Sequence, residues 1–425
     1  MPSPPVNSFP SAVVANASGE IIDCPEFSML GTAGPVPALP DYWIPLPQGS
    51  DLFTMPGRVP VVFDQSCNKP VLLNEYYEEP VQTVAAFVAP AYTSLMHPSY
   101  TLSPHAPRLP LYCYTAVGWH NDSFCVPALR IDPDSRQDAS SFDESLVAKG
   151  AQSLLARYPE NRLVNHLMHN CCLTYHCPAA RNFALGRWEM PLPVSQTCNS
   201  RCIGCISYQP GDHVCAAQER INFKPTPEEI AEITIPHLES AQRPIASFGQ
   251  GCEGEPLTEY RLIADAISRI RDRTPRGTIN LNTNASRPDC VQAIIDAGLD
   301  SMRVSLNSAR PGIYHRYFNP IDYSFSDVLE SIRIARQAGV FVSLNYFVFP
   351  GFTDQLNEYS ALRDLLACPG ADMIQWRNLN IDPDWYRSIL GDAFDSDRMG
   401  MRRLLDTVQN DFPSVRSGYF NPFLG

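Results

Sequence analysis

Between Pro227 and Asn378 the sequence alternates short apolar runs with amphipathic segments. We predict strands at Ile245–Phe248, Thr278–Leu281, Ser301–Leu306, Phe341–Phe349 and Met373–Trp376, each ending in polar or glycine-containing residues. We predict helices at Pro227–Ser240, Leu257–Arg273, Asp289–Ala297, Phe325–Ala338 and Asn357–Leu366. This alternation of strands and helices is typical of an α/β fold, in which helices cover a parallel sheet. Ligand sites in such folds lie at the carboxyl ends of the strands.

The distribution of proline divides the chain into regions. Nineteen of the 40 prolines lie in the first 110 residues, a density that long helices cannot accommodate. We therefore predict an extended proline-rich arm at 1–40 and a β-rich accessory region at 41–135. A helical connector is expected at 136–189, the α/β core at 190–385 and a C-terminal extension at 386–425.

Composition excludes several classes of protein. The net charge of −13 argues against an extended nucleic-acid-binding surface, which needs clustered Lys and Arg. No apolar window is long enough for a transmembrane helix, and the N-terminus lacks the pattern of a secretory signal. We therefore expect a cytoplasmic protein with no membrane partner. In that reducing compartment, the 14 cysteines are expected to be buried residues, metal ligands or catalytic groups.

Three cysteines, Cys198, Cys202 and Cys205, have the spacing C-x3-C-x2-C. Three thiolates can hold a [4Fe-4S] cluster by three irons and leave the fourth iron open for a small molecule. A closed structural site would need four ligands, so the alternative is half of a zinc site completed from elsewhere in the chain.

Together with the run Glu253-Gly254-Glu255-Pro256 and the β/α repeat, this motif resembles the radical S-adenosylmethionine (SAM) superfamily over residues 190–385. The resemblance implies a partial (β/α)6 TIM-like barrel that binds a [4Fe-4S] cluster and SAM. It implies reductive cleavage of SAM to a 5′-deoxyadenosyl radical, which abstracts hydrogen from a peptide, protein or small-metabolite substrate. It also implies a reductant such as flavodoxin or ferredoxin. Glu253 departs from the family pattern, which has glycine there.

The resemblance assigns roles to individual residues. Cys198, Cys202 and Cys205 would be the metal ligands and catalytic centre, and Glu255 would accept a hydrogen bond from the SAM ammonium. Gly254 would let the backbone approach the ligand closely. Strand ends would supply the other cofactor contacts: Asn282 and Asn284 to the methionine or substrate, Ser305 and Asn307 to the ribose, and Asn345 to the adenine.

Two alternatives stay open. The whole chain could be a non-catalytic module that binds zinc or an iron–sulfur cluster. A second group, Cys171, Cys172 and Cys177, lies among His166, His169 and His176, where His169, Cys172 and His176 share one predicted helical face. That group could hold an auxiliary iron–sulfur cluster or could pack beneath the barrel.

Overall fold

The computed structural model describes residues 9–211, 214–394 and 397–425, which form an N-terminal β-rich region, a helical connector and an α/β core. The predicted arm begins with residues 1–8, which lie outside the described residues. Among the described residues, no helix has the length and apolar character needed to cross a bilayer.

The N-terminal region is built around an antiparallel sheet in which β1 is central and pairs with β2, β10 and β14. Its strands are β1 (Ser11–Ala15), β2 (Ile21–Ser28), β3 (Gly31–Thr32), β4 (Ile44–Pro45), β5 (Asp51–Met55), β6 (Arg58–Asp64), β7 (Lys69–Leu72), β8 (Glu75–Tyr76), β9 (Glu79–Pro80), β10 (Gln82–Phe87), β11 (Tyr92–Ser94), β12 (His97–Pro98), β13 (Tyr100–Leu102), β14 (Gly118–His120), β15 (Ser123–Val126) and β16 (Ala128–Arg130).

Two local expectations for this region are corrected. The described part of the predicted arm carries β1 to β3, because Ala12–Ala15 is a buried apolar run that pairs on both sides. The apolar composition of Leu111–Thr115 predicts a further strand, but this run makes one isolated bridge, between Ala86 and Thr115. Proline and irregular backbone around Pro110 prevent a longer ladder there.

The connector begins with a 3-10 turn (Ala139–Ser141) and continues through α1 (Glu144–Arg157), α2 (Arg162–His166), a π-helix (Leu167–Thr174) and α3 (Pro178–Ala184). Asp143 caps α1 by accepting hydrogen bonds from the backbone N–H groups of Ser145 and Leu146. The π-helix is an uncommon element that occurs mostly at functional sites.

The core is a curled parallel sheet of seven strands in chain order, which confirms the predicted α/β class of partial barrel. The strands are β17 (Arg187–Leu192), β18 (Gln242–Phe248), β19 (Thr278–Thr283), β20 (Ser301–Leu306), β21 (Phe341–Val348), β22 (Met373–Asn378) and β23 (Arg416–Gly418). The helices are α4 (Pro227–Ser240), α5 (Tyr260–Arg271), α6 (Pro288–Asp296), α7 (Pro311–Phe318), α8 (Phe325–Gln337), α9 (Leu356–Ala367), α10 (Pro383–Leu390) and α11 (Met401–Asp411).

The elements α7, α10 and β23 are among those of the core that the sequence did not predict. Each has eight residues or fewer, too short to give a clear periodic pattern. The third of these, β23, lies in the segment predicted as a C-terminal extension and pairs in parallel with β22. The chain then crosses the inner face of the sheet, where the Asn421 amide donates to Glu189 at 2.7 Å.

The N-terminal region packs against the carboxyl end of β22. The Thr93 hydroxyl donates to the Trp376 carbonyl at 2.5 Å, and the Asn378 amide donates to the Tyr92 carbonyl at 3.0 Å. The backbone N–H of Ser94 completes the junction by donating to Asn378 Oδ1 at 2.8 Å. The accessory region therefore covers part of the strand ends where the site is expected.

A buried ion pair joins the same two regions and predicts a large effect on stability. Arg58 on β6 contacts Asp382 at 3.0 Å, and the two side chains are 2% and 3% exposed. We expect Arg58→Ala to lower the free energy of unfolding by about 3–5 kcal/mol, because it leaves a buried carboxylate unpaired. Chemical denaturation measures the change.

The matched control is Arg402→Ala, since Arg402 pairs with Asp41, whose side chain is 80% exposed. This substitution should cost less than about 1 kcal/mol. Equal losses in the two variants would contradict a stabilising role for the buried pair.

Candidate active site

The cysteine loop follows β17 and is held from outside by the end of α7. The backbone N–H of Arg201 donates to the Phe318 carbonyl at 3.0 Å, and that of Ile203 donates to the Tyr317 carbonyl at 3.0 Å. Gly204 lies against the Tyr317 hydroxyl, where an added Cβ would come within 2.7 Å of that oxygen. The loop conformation is therefore fixed by backbone contacts as well as by its own sequence.

The three thiols of this loop form one electrostatic group. All three cysteines are partly buried. Burial, with a smaller contribution from the nearby Glu255 carboxylate, raises the pKa of Cys198 to about 11. Burial also raises the pKa of Cys202 well above its ordinary value, with added contributions from Cys198 and Cys205. Thiols in such a place become thiolates when a metal replaces their protons.

Glu255 lies at the end of the loop that follows β18 and is 4% exposed. Its Oε1 accepts hydrogen bonds from the backbone N–H of Leu257 at 3.0 Å and from the Thr283 hydroxyl at 2.5 Å. Its Oε2 accepts from the backbone N–H of Asn284 at 2.8 Å, which leaves a second lone pair on that oxygen. Burial raises the pKa of Glu255 to about 7, although these hydrogen bonds oppose the shift.

The neighbours of Glu255 join its loop to the cysteine loop. Gly254 donates its backbone N–H to the Ser195 carbonyl at 2.8 Å, and a Cβ on Gly254 would lie 1.9 Å from the Thr197 carbonyl oxygen. The glycine is thus required by contact with the protein backbone, and its close approach to the ligand stays a prediction. Glu253 accepts from the N–H groups of Val194, Ser195 and Gln250 at 2.8, 2.9 and 2.6 Å.

The asparagines at the end of β19 face two different neighbours. Asn284 donates its side-chain amide to Asn199 Oδ1 at 2.9 Å and to the Ser200 hydroxyl at 3.1 Å, so it connects Glu255 with the cysteine loop. Asn282 points into the barrel, where it donates to the Gly249 carbonyl at 2.8 Å. Only Asn284 is therefore in direct contact with the cysteine loop.

The more distant strand ends are spread along the sheet. Ser305 and Asn345 are register partners on β20 and β21, and their side chains approach to 3.5 Å. Asn307 is buried farther out, and its amide donates to the Tyr386 hydroxyl at 3.1 Å. Among the described residues, Asn345 Oδ1 and Asn307 Oδ1 are buried with no hydrogen-bond partner.

Two arginines were missed by sequence reasoning. Arg220 places its Nη2 3.7 Å from Cys205 Sγ and donates from Nε to the Ser207 hydroxyl at 3.0 Å. Arg303 on β20 points into the barrel. Arg220 lies in an irregular segment with no pattern to mark it. Arg303 could have been noticed as a cation within an apolar strand.

The comparisons with known proteins agree with this geometry. Residues 192–360 match the family model described as the Radical SAM superfamily. The GTP 3′,8-cyclase of Streptomyces coelicolor is 30% identical over 179 residues, which are 40% of this chain and 48% of the relative. The FeMo cofactor biosynthesis protein NifB of Klebsiella pneumoniae is 25% identical over 183 residues, 39% of this chain and 38% of the relative.

Among solved structures, Streptococcus suis SuiB bound to S-adenosylmethionine aligns with 10% identity and a TM-score of 0.39. That alignment covers 64% of this chain and 55% of SuiB. The chain spans less than half the length of the two curated relatives named above. The cysteine loop and the Glu255 loop both lie within residues 192–360, the part of the chain that matches the radical SAM superfamily.

The residues present fit the cofactors of this superfamily, a [4Fe-4S] cluster and SAM. Three thiols on one loop are soft donors suited to iron–sulfur chemistry. A buried carboxylate with a free lone pair beside them is suited to a cationic ligand.

The close contact at Gly254 gives a direct test of this arrangement. We expect Gly254→Ala to lower the free energy of unfolding by at least about 2 kcal/mol, because the added methyl group overlaps the Thr197 carbonyl. Iron content after anaerobic reconstitution should fall as well, because Thr197 precedes Cys198. Denaturation and iron analysis provide the two measurements.

Gly312→Ala is the control, since nothing lies within 4 Å of a Cβ added there. It should keep wild-type stability and iron content. A Gly254→Ala variant that matches this control would contradict the contact between the two loops.

Proposed function

We propose that this chain is a radical SAM enzyme in which Cys198, Cys202 and Cys205 ligate three irons of a [4Fe-4S] cluster. When bound, the cluster and SAM supply reductive cleavage of the sulfonium to methionine and a 5′-deoxyadenosyl radical. The radical abstracts hydrogen from a substrate that is either a peptide or protein or a small metabolite. The chain's own residues orient the ligand and exclude water from it.

The observation that carries the proposal is the position of the Glu255 carboxylate. It is buried, it is close enough to Cys198 and Cys202 to raise the pKa of both, and one lone pair of its Oε2 is free. Burial penalises its ionised form, so a cation bound there would be stabilised and would also keep Glu255 ionised. The ammonium group of SAM supplies such a cation.

Further contacts to SAM are proposed for the strand ends. Asn284 is held beside the cysteine loop and would face the methionine part of SAM, with Asn282 deeper in the barrel. The unpartnered Oδ1 of Asn345, next to Ser305, would accept a hydrogen bond from a ribose hydroxyl or the adenine amino group. Asn307, whose Oδ1 is also free among the described residues, is proposed as a more distant ribose contact.

The alternative, a passive zinc module, has a geometric argument against it. Sulfurs bound to one tetrahedral zinc at about 2.3 Å lie about 3.8 Å apart. Among the described residues, the only three His, Cys, Asp or Glu ligand atoms all within 4.8 Å of one another belong to a different group. The wider spacing of Cys198, Cys202 and Cys205 favours a cluster with several metal ions.

The inner face of the barrel favours a substrate with an anionic group. Arg303 donates only long hydrogen bonds, 3.4 Å to Gln375 and 3.5 Å to Asn421, and its Nε is buried with no partner among the described residues. Burial and the nearby Arg377 guanidinium lower the pKa of Arg303 to about 9. A carboxylate or phosphate on the substrate would satisfy both guanidinium groups.

The proposed reaction needs an electron donor, and a flavodoxin or ferredoxin fits that role. A cytoplasmic location would supply such donors. Dithionite can replace them in the assay below.

The test is release of 5′-deoxyadenosine. Anaerobically reconstituted protein with dithionite and SAM should release it, whereas Cys198→Ala should neither bind the cluster nor release product. Glu255→Gln should keep its iron but form product about tenfold more slowly at low SAM, because a charge-assisted hydrogen bond is lost. Chromatographic quantification of 5′-deoxyadenosine and iron analysis provide the measurements.

Glu239→Gln, an exposed position on α4, serves as the control and should behave as wild type. Tight zinc binding with no 5′-deoxyadenosine would instead establish the passive module. Unchanged SAM dependence in Glu255→Gln would remove Glu255 from the binding site.

A further inference from the structure

A second group of metal-binding side chains is buried away from the cysteine loop. His166 ends α2, Cys171 lies in the π-helix, and Cys252 lies in the loop after β18. They are 8%, 2% and 4% exposed, and one ligand atom from each lies within 4.8 Å of the other two. Cys171 Sγ is 3.6 Å from Cys252 Sγ and 3.5 Å from His166 Nε2.

These distances fit ligands around one metal ion. Two thiolates on a tetrahedral zinc, each about 2.3 Å from it, are about 3.8 Å apart. The two thiols come from positions 81 residues apart in the chain, and both lie within 4.8 Å of an imidazole nitrogen of His166. Thiolate and imidazole together are the ligands that structural zinc sites use.

A further cysteine, Cys177, lies near this group. Its backbone N–H donates to the Cys171 carbonyl at 2.8 Å. Its thiol is outside the set of ligand atoms that all lie within 4.8 Å of one another. His166, Cys171 and Cys252 would therefore leave one position of a tetrahedral ion to solvent.

A side chain that can orient the His166 imidazole is also present. The Asn170 side-chain amide lies 3.2 Å from His166 Nδ1. With its oxygen turned toward the ring, it would accept from Nδ1–H and leave Nε2 free to bind metal, as ligating histidines require. A groove of about 450 Å³, lined in part by His166 and Asn170, opens beside the imidazole and provides an entry path.

We propose that His166, Cys171 and Cys252 form a second site for a single tetrahedral metal ion of the zinc class, with solvent in its fourth position. The ion would fasten the helical connector to the loop between β18 and Glu255, because Cys252 precedes Glu253 and Glu255 in that loop. The proposal does not depend on SAM chemistry. It replaces the grouping expected from the sequence, because His169 and His176 are exposed and Cys172 faces Arg181 and Glu144.

The experiment uses the full chain with Cys198, Cys202 and Cys205 all changed to Ala, so that the first site contributes no metal. Mass-spectrometric metal analysis of the purified protein should find about one zinc per chain. Adding Cys252→Ser or Cys171→Ser should remove it. Adding Cys172→Ser, a buried cysteine of the same π-helix, should leave it in place.

A second measurement covers the case in which the added variants fail to fold. Metal-free triple-Ala protein titrated with Co²⁺ should develop thiolate-to-cobalt absorption that zinc abolishes. Absence of both zinc and cobalt binding would overturn the proposal, and so would equal zinc in the Cys252→Ser and Cys172→Ser proteins. Iron with an equal amount of sulfide, in place of zinc, would overturn the single-ion assignment. None of these outcomes changes the 5′-deoxyadenosine test, so the two proposals fail independently.

Discussion

The contact between the Glu255 loop and the cysteine loop is the constraint on which the rest of the site depends. Gly254 lies directly against Thr197, and the Glu255 N–H donates to the Thr197 carbonyl at 2.8 Å. The Glu255 carboxylate is then tied to the end of β19 through Thr283 and Asn284. Three segments distant in sequence are thereby fixed in one place, so the thiols and the carboxylate form a single preorganised site.

Glu253 stands where the family pattern has glycine, and its contacts hold the Glu255 loop in place. Its carboxylate accepts three backbone N–H groups from the turns around Val194 and Gln250. With glycine at this position, those three backbone N–H groups would have no carboxylate to donate to. Glu253 therefore adds three buried hydrogen bonds next to Glu255. Burial raises the pKa of Glu253 to about 8.

Local sequence signals predicted much of the core and little of its surroundings. The predicted bounds of α4 and β20 are those of the structure, where Thr226 and Glu229 form a capping box at the start of α4. The sequence did not reveal α7, although its last turn holds the cysteine loop, because eight residues carry little periodicity. The meeting of Cys171 with Cys252 was equally hidden, because it arises only when the connector packs on the barrel.

The N-terminal and C-terminal segments complete the barrel. Asn378 is held by β11, and Asn421 reaches Glu189 inside the barrel, so both segments limit what can enter the barrel. They are the parts of the molecule most able to select a substrate, because function in a common fold depends on the site built upon it.

The most direct test of the central claim is to detect SAM on the cluster. Electron–nuclear double resonance would be recorded on reconstituted protein, reduced with dithionite and saturated with SAM carrying ¹⁵N in its amino group. The account predicts a hyperfine coupling between that nitrogen and the unpaired spin of the reduced cluster. A reduced cluster signal with no ¹⁵N coupling would contradict it.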